Sequence, residues 1–255
     1  MKAFVYSCVA VALSLGGAAA FGEEESPHAA SGTIALTTEY LFRGISQTDH
    51  NPAIQGSLDY TYKPWGLYLG AWASNVDEDY VSDGNIEIDW YGGFRGQFSD
   101  TGIGWDAGAI YYHYPGDDDN FPGAEIIDYV EAKFGANYTF ADVPLSPATS
   151  LTVYYSPDFF GGSGDGVYVD AGVGLSLPYE FTLGAHGGYQ YAEDFNLDGD
   201  DGDEYFDWRV GISRTVIGFT LNLSYSGVAS GDEFCAGEFS SNCDDALVFT
   251  VSRSL

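Results

Sequence analysis

Positive charge is the scarcest property of this chain: Lys and Arg number 8 against 38 Asp and Glu, a formal net charge of −30. Nucleic-acid binding is driven mainly by Lys and Arg against phosphate, so a DNA- or RNA-binding role is excluded. A run long enough for a membrane helix is also missing. The most apolar stretch, from Ala3 to Leu15, falls short of the roughly 18–20 residues a spanning helix requires. Methionine occurs once, and helix formers are few beside 34 Gly, 20 Tyr and 17 Phe. Such a mixture suits a pleated surface better than a helix. Disorder is excluded too, because a chain that is 45% hydrophobic can bury ample surface despite its charge.

Cysteine is nearly absent, with 3 in all, and the first, Cys8, lies in the leader. Lys2, the apolar run to Leu15 and the small residues Ala18, Ala19 and Ala20 read as a signal peptide over residues 1–20. A periplasmic lead segment is expected over residues 21–31 and the folded domain over residues 32–255. In an exported protein the remaining Cys235 and Cys243 are expected to form a disulfide. With no His nearby, two thiols alone do not complete a metal site.

What the chain has in abundance is alternation. Apolar residues recur at every second position in blocks of about ten, which is the strand period. The first block carries Ile34, Leu36, Thr38, Tyr40 and Phe42 on one face, with Thr33, Thr37, Glu39 and Arg43 on the other. Later blocks repeat it, as in Ile86, Ile88, Trp90 and Phe94, or Phe219, Leu221, Leu223 and Tyr225. Twelve such blocks are expected to be strands. Every second connector is long, and those six hold 22 carboxylates in 65 residues, whereas the five short ones hold three in 27. A sandwich gives no reason for that beat. A barrel crossing a membrane does, with long loops at one end and short turns at the other. Rings cluster at both block ends: Tyr60, Trp65, Phe94 and Phe219 at the short-turn end, Tyr40, Phe42, Tyr111, Tyr155, Tyr189 and Tyr225 at the other. Two aromatic girdles around an apolar band are what bilayer interfaces favour. The expected fold is all-β: a transmembrane antiparallel β-barrel of about 12 strands with long acidic extracellular loops and short periplasmic turns. Only Arg214 and Arg253 fall on the lipid-facing phase, both at the short-turn rim where charge costs little.

The segment Glu39-Tyr40-Leu41-Phe42-Arg43-Gly44-Ile45-Ser46-Gln47-Thr48, followed by Pro52-Ala53-Ile54-Gln55, resembles the opening signature of the TorF family of porin-like proteobacterial proteins. The later Gly66-Leu67-Tyr68-Leu69-Gly70-Ala71-Trp72-Ala73-Ser74-Asn75 is similar to that family's next stretch, and the likeness runs from about Gly32 to the C-terminus. The resemblance implies an outer-membrane channel with no catalytic residues and no cofactor. Its implied partners are outer-membrane lipid and lipopolysaccharide, the barrel assembly machinery and small hydrophilic solutes. Leu255 stands where barrels usually end on an aromatic ring that the machinery reads.

On the inward phase lie Glu39, Arg43, Asp59, Glu87, Asp89, Arg95, Asp106, Glu131, Lys133, Asp170, His186, Asp207 and Arg209. As pore-lining residues their surplus of carboxylates favours cations. They can instead neutralise one another across a filled interior, Glu131 with Lys133 and Asp207 with Arg209, giving a closed barrel with a structural or adhesion role. Small residues on the same face (Gly93, Gly104, Gly108, Gly172, Gly174, Gly184 and Gly188) leave room for a path. Asp198, Asp200, Asp201 and Asp203 invite a calcium reading, but Gly202 comes one position late for an EF-hand loop, which leaves loose divalent-cation binding. A hydrolase at the lipid-facing wall needs a Ser–His pair. Only His113 is in phase there, and no Ser partner is assignable from the sequence.

Overall fold

The structure is a computed structural model describing residues 26–77, 84–116, 127–193, 203–229, 235 and 241–255. Its first strand is β1 (His28–Thr37), followed by a two-rung hairpin of β2 (Leu41–Phe42) and β3 (Ile45–Ser46). Then come β4 (Ala53–Tyr62), β5 (Leu67–Asn75), β6 (Ile86–Gln97), β7 (Gly104–His113) and β8 (Tyr129–Thr139). The chain continues through β9 (Ala148–Ser156), β10 (Gly166–Ser176), β11 (Phe181–Ala192), β12 (Asp203–Val216), β13 (Phe219–Ala229) and β14 (Ala246–Ser254). Every neighbour is antiparallel and consecutive, and β1 pairs with both β14 and β4, so twelve strands close into a barrel with β2 and β3 apart from it. Closure leaves none of the twelve barrel strands with an unpaired edge.

The short turns follow local chemistry. Between β12 and β13 only Ile217 and Gly218 intervene, both at positive φ (52° and 80°), as a two-residue I′ hairpin requires. Between β4 and β5, Gly66 sits at φ 65°, where a Cβ would lie 1.9 Å from the Arg95 carbonyl oxygen, so only glycine fits.

The barrel is inside out relative to a water-soluble protein. On the outer face Leu58 is 74% exposed, Leu247 67%, Ile54 64% and Leu36 56%. Contiguous apolar patches beyond a few hundred Å² are rare on soluble monomers. Arg214 and Arg253 do lie on this face, at the short-turn rim, with guanidinium carbons 5.2 Å from the Phe181 ring and 5.1 Å from the Phe219 ring. At the opposite rim, tyrosine hydroxyls on the outer face donate to carboxylates at the bases of the long loops. Tyr111 meets Asp128 at 2.5 Å, Tyr155 meets Asp165 at 2.9 Å, Tyr225 meets Asp245 at 2.8 Å, and Tyr189 meets Glu204. This explains tyrosine rather than phenylalanine there: the ring faces the apolar side and the hydroxyl reaches the wet one.

Two boundaries differ from the sequence expectation. The barrel begins at His28, not residue 32, because Ala29, Ala30 and Ser31 pair with Thr61, Tyr60 and Asp59 of β4 despite lacking the large alternating side chains of a strand block. At its other end β1 stops at Thr37, whose hydroxyl donates to the Glu39 carbonyl at 2.9 Å and diverts the chain from the ladder. Tyr40 and Phe42 therefore leave the expected outer girdle and turn into the barrel, where Tyr40 is buried against Trp72 and Phe42 packs on Tyr112.

Candidate functional site: the lumen and the hairpin inside it

The inner face is built by the opposite phase of each strand. Asp59, Glu87, Asp89, Arg95, Asp106, Glu131, Lys133, Asp170, His186, Asp207 and Arg209 all occupy it, while their strand neighbours Leu58, Trp90, Phe94, Phe134 and Val210 are exposed outside. Glu39 and Arg43 also lie inside, but on the inturned segment rather than on a barrel strand.

That segment, residues 38–52, is the main feature of the lumen. Arg43 and Gly44 form the tip of the β2–β3 hairpin, both at positive φ (48° and 85°). In the closed order β9 and β10 lie across the barrel from β1 and β4, the strands this segment joins. The Arg43 side chain reaches that far wall. Its Nη2 lies 2.5 Å from Glu131 Oε2 on β8, and its Nη1 donates to Gln190 Oε1 on β11 at 2.6 Å. Its guanidinium carbon lies 4.2 Å from the Tyr168 ring centroid, 4.7 Å from Phe42, 5.3 Å from Tyr154 and 5.8 Å from Phe159. Beside it, a Cβ on Gly44 would come within 2.8 Å of Asp207 Cβ and 2.9 Å of a Val228 methyl, so the backbone itself touches β12 and β13. Arg43 is an unusual choice for a positive-φ turn, which favours Asn, Asp or Gly. Its side-chain contacts are what such a position gains.

Around the hairpin the lumen carries an aromatic core toward the long-loop end: Trp72, Ile110, Tyr112, Tyr129, Tyr154 and Tyr168 on the strands, with Phe159 from the β9–β10 connector. A cavity of ≈ 20 Å³, lined by Arg43, Asp89, Tyr154 and Asp170 among others, has room for about one water. Glu131 Oε1 is buried here without a hydrogen-bond partner, while the buried Glu87 and Asp89 carboxyl groups hydrogen-bond each other. Tyr40 donates to Glu87 Oε1 at 3.2 Å, and Tyr112 donates to Glu131 Oε2 at 3.0 Å.

Toward the short-turn end the inner wall is charged and partly solvated. Lys133 Nζ lies 3.1 Å from Asp106 Oδ1, which also accepts from the Tyr68 hydroxyl at 2.8 Å. Asp59 accepts from Tyr91 at 2.5 Å and from Ser57 at 3.0 Å, while Arg95 donates to Thr61 at 2.9 Å. Across the barrel, at the level of the hairpin tip, His186 Nδ1 lies 3.0 Å from the buried Asp170 and its Nε2 3.8 Å from the buried Asp207, which accepts from Tyr168 at 3.0 Å. The two same-strand pairs that the filled-interior alternative offered, Glu131 with Lys133 and Asp207 with Arg209, form no ion pair among the described residues. Glu131 takes Arg43 and Lys133 takes Asp106, while Arg209 makes no ion pair among the described residues.

The glycines of the inner face do not simply leave a void. The Tyr68 hydroxyl lies where Cβ atoms of Gly93 and Gly108 would be, at 2.7 and 2.5 Å, and Tyr168 and Asp207 fill the space beside Gly188. Rings from neighbouring strands lie flat across them. The residues that hold Arg43, namely Gln190, Tyr154, Tyr168 and Phe159, were not singled out as a site by sequence pattern. Inward-phase rings near the ends of β9 and β10 were the available signal.

The hairpin is tied to the last long connector. Asn242 Nδ2 donates to the Ser46 carbonyl at 3.3 Å, next to the Cys235–Cys243 disulfide, which is formed as expected. His50 Nδ1 lies 2.7 Å from Glu39 Oε1, and its Nε2 lies 2.8 Å from the Ser241 carbonyl. Partial burial opposes charge on His50, but the Ser241 carbonyl and the Glu39 carboxylate outweigh it and raise the imidazole pKa. His113 meets Asp128 at 2.7 Å at the outer rim, and no serine hydroxyl joins them among the described residues. Among the described residues no group of three His, Cys, Asp or Glu is arranged to hold a metal ion. Asp198, Asp200 and Asp201, the side chain of Asp203, and the leader over residues 1–20 lie outside the described residues.

Solved porins share this architecture. The KdgM porin is 6% identical, matched over 88% of this chain and 97% of its own, with a TM-score of 0.53. The NanC porin is 8% identical over 88% and 98%, with a TM-score of 0.54. The COG4313 outer membrane channel from Pseudomonas putida F1 is 9% identical over 91% and 98%, with a TM-score of 0.52. At these identities the likeness is one of fold: a closed twelve-stranded antiparallel barrel. Among curated proteins none matches the sequence. The family model described as "Bacterial protein of unknown function (Gcw_chp)" matches residues 22–255, and the chain belongs to that family.

Proposed function

We propose that the protein is an outer-membrane channel through which small hydrophilic solutes diffuse passively, with a preference for cations and with the first long connector as its constriction. The observation that carries this reading is the pairing of an apolar exterior with a charged, partly solvated inner wall around Asp59, Arg95, Asp106, Lys133 and Arg209. A barrel serving only as a scaffold gains nothing from charges held off the protein surface, since each costs desolvation. The long acidic connectors lie on the extracellular side in this reading, and the short turns on the periplasmic side. The cation preference rests on the surplus of inward carboxylates. The TorF-like segment is the inturned hairpin itself, which gives that stretch a physical role: it sets the narrowest part of the lumen. Lipopolysaccharide at the outer rim and the barrel assembly machinery are the partners this location implies.

A closed structural barrel is the second reading, and the hairpin filling the long-loop third of the lumen favours it. Planar-bilayer recording separates the two. The channel reading expects discrete conductance steps with cation over anion permeability for the wild-type chain, larger when residues 40–46 are replaced by a Gly-Ser linker. Silence from both proteins at high dose contradicts it and leaves the structural barrel.

A further inference from the structure

We propose that the lumen contains a guanidinium-recognition site, filled in this structure by the chain's own Arg43 and able to take solutes bearing a free guanidinium group, such as arginine derivatives or short basic peptides.

The parts of such a site are all on the barrel wall. Planar guanidinium recognition calls for an acceptor fork and flat π faces. Glu131 and Gln190 supply the acceptors at 2.5 and 2.6 Å, from two different strands. Tyr168 and Tyr154 supply ring faces at 4.2 and 5.3 Å, and Phe159 adds a third at 5.8 Å. Of the groups around Arg43 only Phe42 belongs to the hairpin. Withdrawal of the hairpin would leave Glu131, Gln190, Tyr154 and Tyr168 in place, since each is fixed within the barrel ladder.

A second observation points to a ligand. Glu131 is fully buried, and its Oε1 has no hydrogen-bond partner although Oε2 accepts from both Arg43 and Tyr112. Asp89, which is hydrogen-bonded to Glu87, lines the same cavity as Arg43. Acceptor capacity in the chamber exceeds what one arginine uses. Buried acceptors of this kind are costly unless something occupies them.

The occupant looks separable. The hairpin's strands pair only with each other, and its tip holds Arg43 at φ 48°, a conformation L residues disfavour. Its polar ties to neighbouring segments include Asn242 to the Ser46 carbonyl and the Asp77 amide to the Gln47 carbonyl at 2.8 Å. A soluble guanidinium carries no such backbone conformation with it. Arg43 thus behaves as a tethered competitor whose local concentration sets how much free ligand is needed. The binding site stands by itself, whereas its place on a solute path, and hence guanidinium solutes as preferred cargo, rests on the channel reading above.

Fluorescence of the tryptophans, with Trp72 in the chamber wall, reports occupancy. L-arginine methyl ester is titrated into wild-type, Arg43→Ala and Arg43→Ala/Glu131→Gln proteins in detergent, with L-norleucine methyl ester as the probe lacking a guanidinium. Saturable binding at least tenfold tighter in Arg43→Ala than in wild type, lost at least tenfold on adding Glu131→Gln and absent for norleucine ester, supports the site. Identical titrations for wild type and Arg43→Ala, or indifference to Glu131→Gln, overturn it. Should Arg43→Ala fail to fold, wild type serves: arginine ester but not norleucine ester should speed amide exchange over residues 40–47, and equal exchange with both overturns the site. Binding is read without current, so silent bilayers with intact binding refute only the channel.

Discussion

Arg43 at the hairpin tip and Glu131 on the far wall are joined at 2.5 Å, with both side chains almost wholly withdrawn from solvent. The pair spans the lumen, so the interior is held by a contact between the first long connector and a strand 88 residues later in the chain. Its value follows from burial. Breaking one half of a buried ion pair leaves the other charge stranded, at a cost of about 3–5 kcal/mol. Arg43→Ala and Glu131→Gln should each lower stability in denaturant titrations in phospholipid vesicles. The double variant Arg43→Ala/Glu131→Gln should be milder than the sum of the two. Full additivity would mean the two groups are not coupled.

Selectivity should depend on carboxylates that lack a cationic partner. Asp59 is held by the Tyr91 and Ser57 hydroxyls and makes no ion pair among the described residues. Its charge therefore acts on the lumen undiminished by a neighbour. Asp59→Asn should reduce the cation-to-anion permeability ratio measured from the reversal potential in a salt gradient. Asp106→Asn, which also frees Lys133 at 3.1 Å, should reduce it further.

The tie between connectors should respond to pH through His50. The imidazole bridges Glu39 and the Ser241 carbonyl, and its pKa is raised in the folded state. A raised pKa means the folded form binds the proton more tightly than the unfolded one. The stabilisation is thus fully present below the ordinary histidine value of about 6.5 and is lost as pH rises through the higher folded value. Asp49 and Glu39 are the acidic groups that favour the charge. Amide protection over residues 47–51, taken relative to the intrinsic exchange rate at each pH, should be greater at pH 5.5 than at pH 8.5, and in His50→Gln that difference should vanish.

The outer face should tolerate charge only at its rim. Val210 is 47% exposed near the middle of β12, whereas Arg214 lies four residues on, beneath the Phe181 ring. Val210→Arg should cost about 2–4 kcal/mol of stability in a bilayer. Arg214→Gln should change it by less than about 1 kcal/mol, since charge near the interface costs about 0–1. Equal effects would mean the band is not in hydrocarbon.

Most of the architecture was legible because it rests on a single local rule. The two faces of each strand meet different media, so Ile54 and Leu58 declare themselves outward and Asp59 inward without knowledge of any distant residue. The first block broke that rule. Tyr40 and Phe42 keep the outward phase in sequence, yet they serve the interior. Nothing in alternation distinguishes a strand end from an inturned hairpin; the difference lies in the Arg43–Gly44 turn and in the distant Glu131. The same limit applies to pairing. Alternation assigns each charge to a face, but which carboxylate meets which cation depends on barrel curvature and on the hairpin's depth. The inward glycines illustrate it again: Gly93 and Gly108 signalled room, and the Tyr68 ring occupies it.

The central claim is that lipid, not protein, covers the outside of these strands, and two tryptophans test it. Trp90 is 54% exposed on the outer face of β6, and Trp72 is buried inside on β5. Variants keeping one or the other as their sole tryptophan are reconstituted in vesicles of phospholipids brominated on the acyl chains. Strong quenching of Trp90 with little for Trp72 is the predicted result. Trp90 left unquenched, in a protein that stays monodisperse in buffer without detergent, would contradict it.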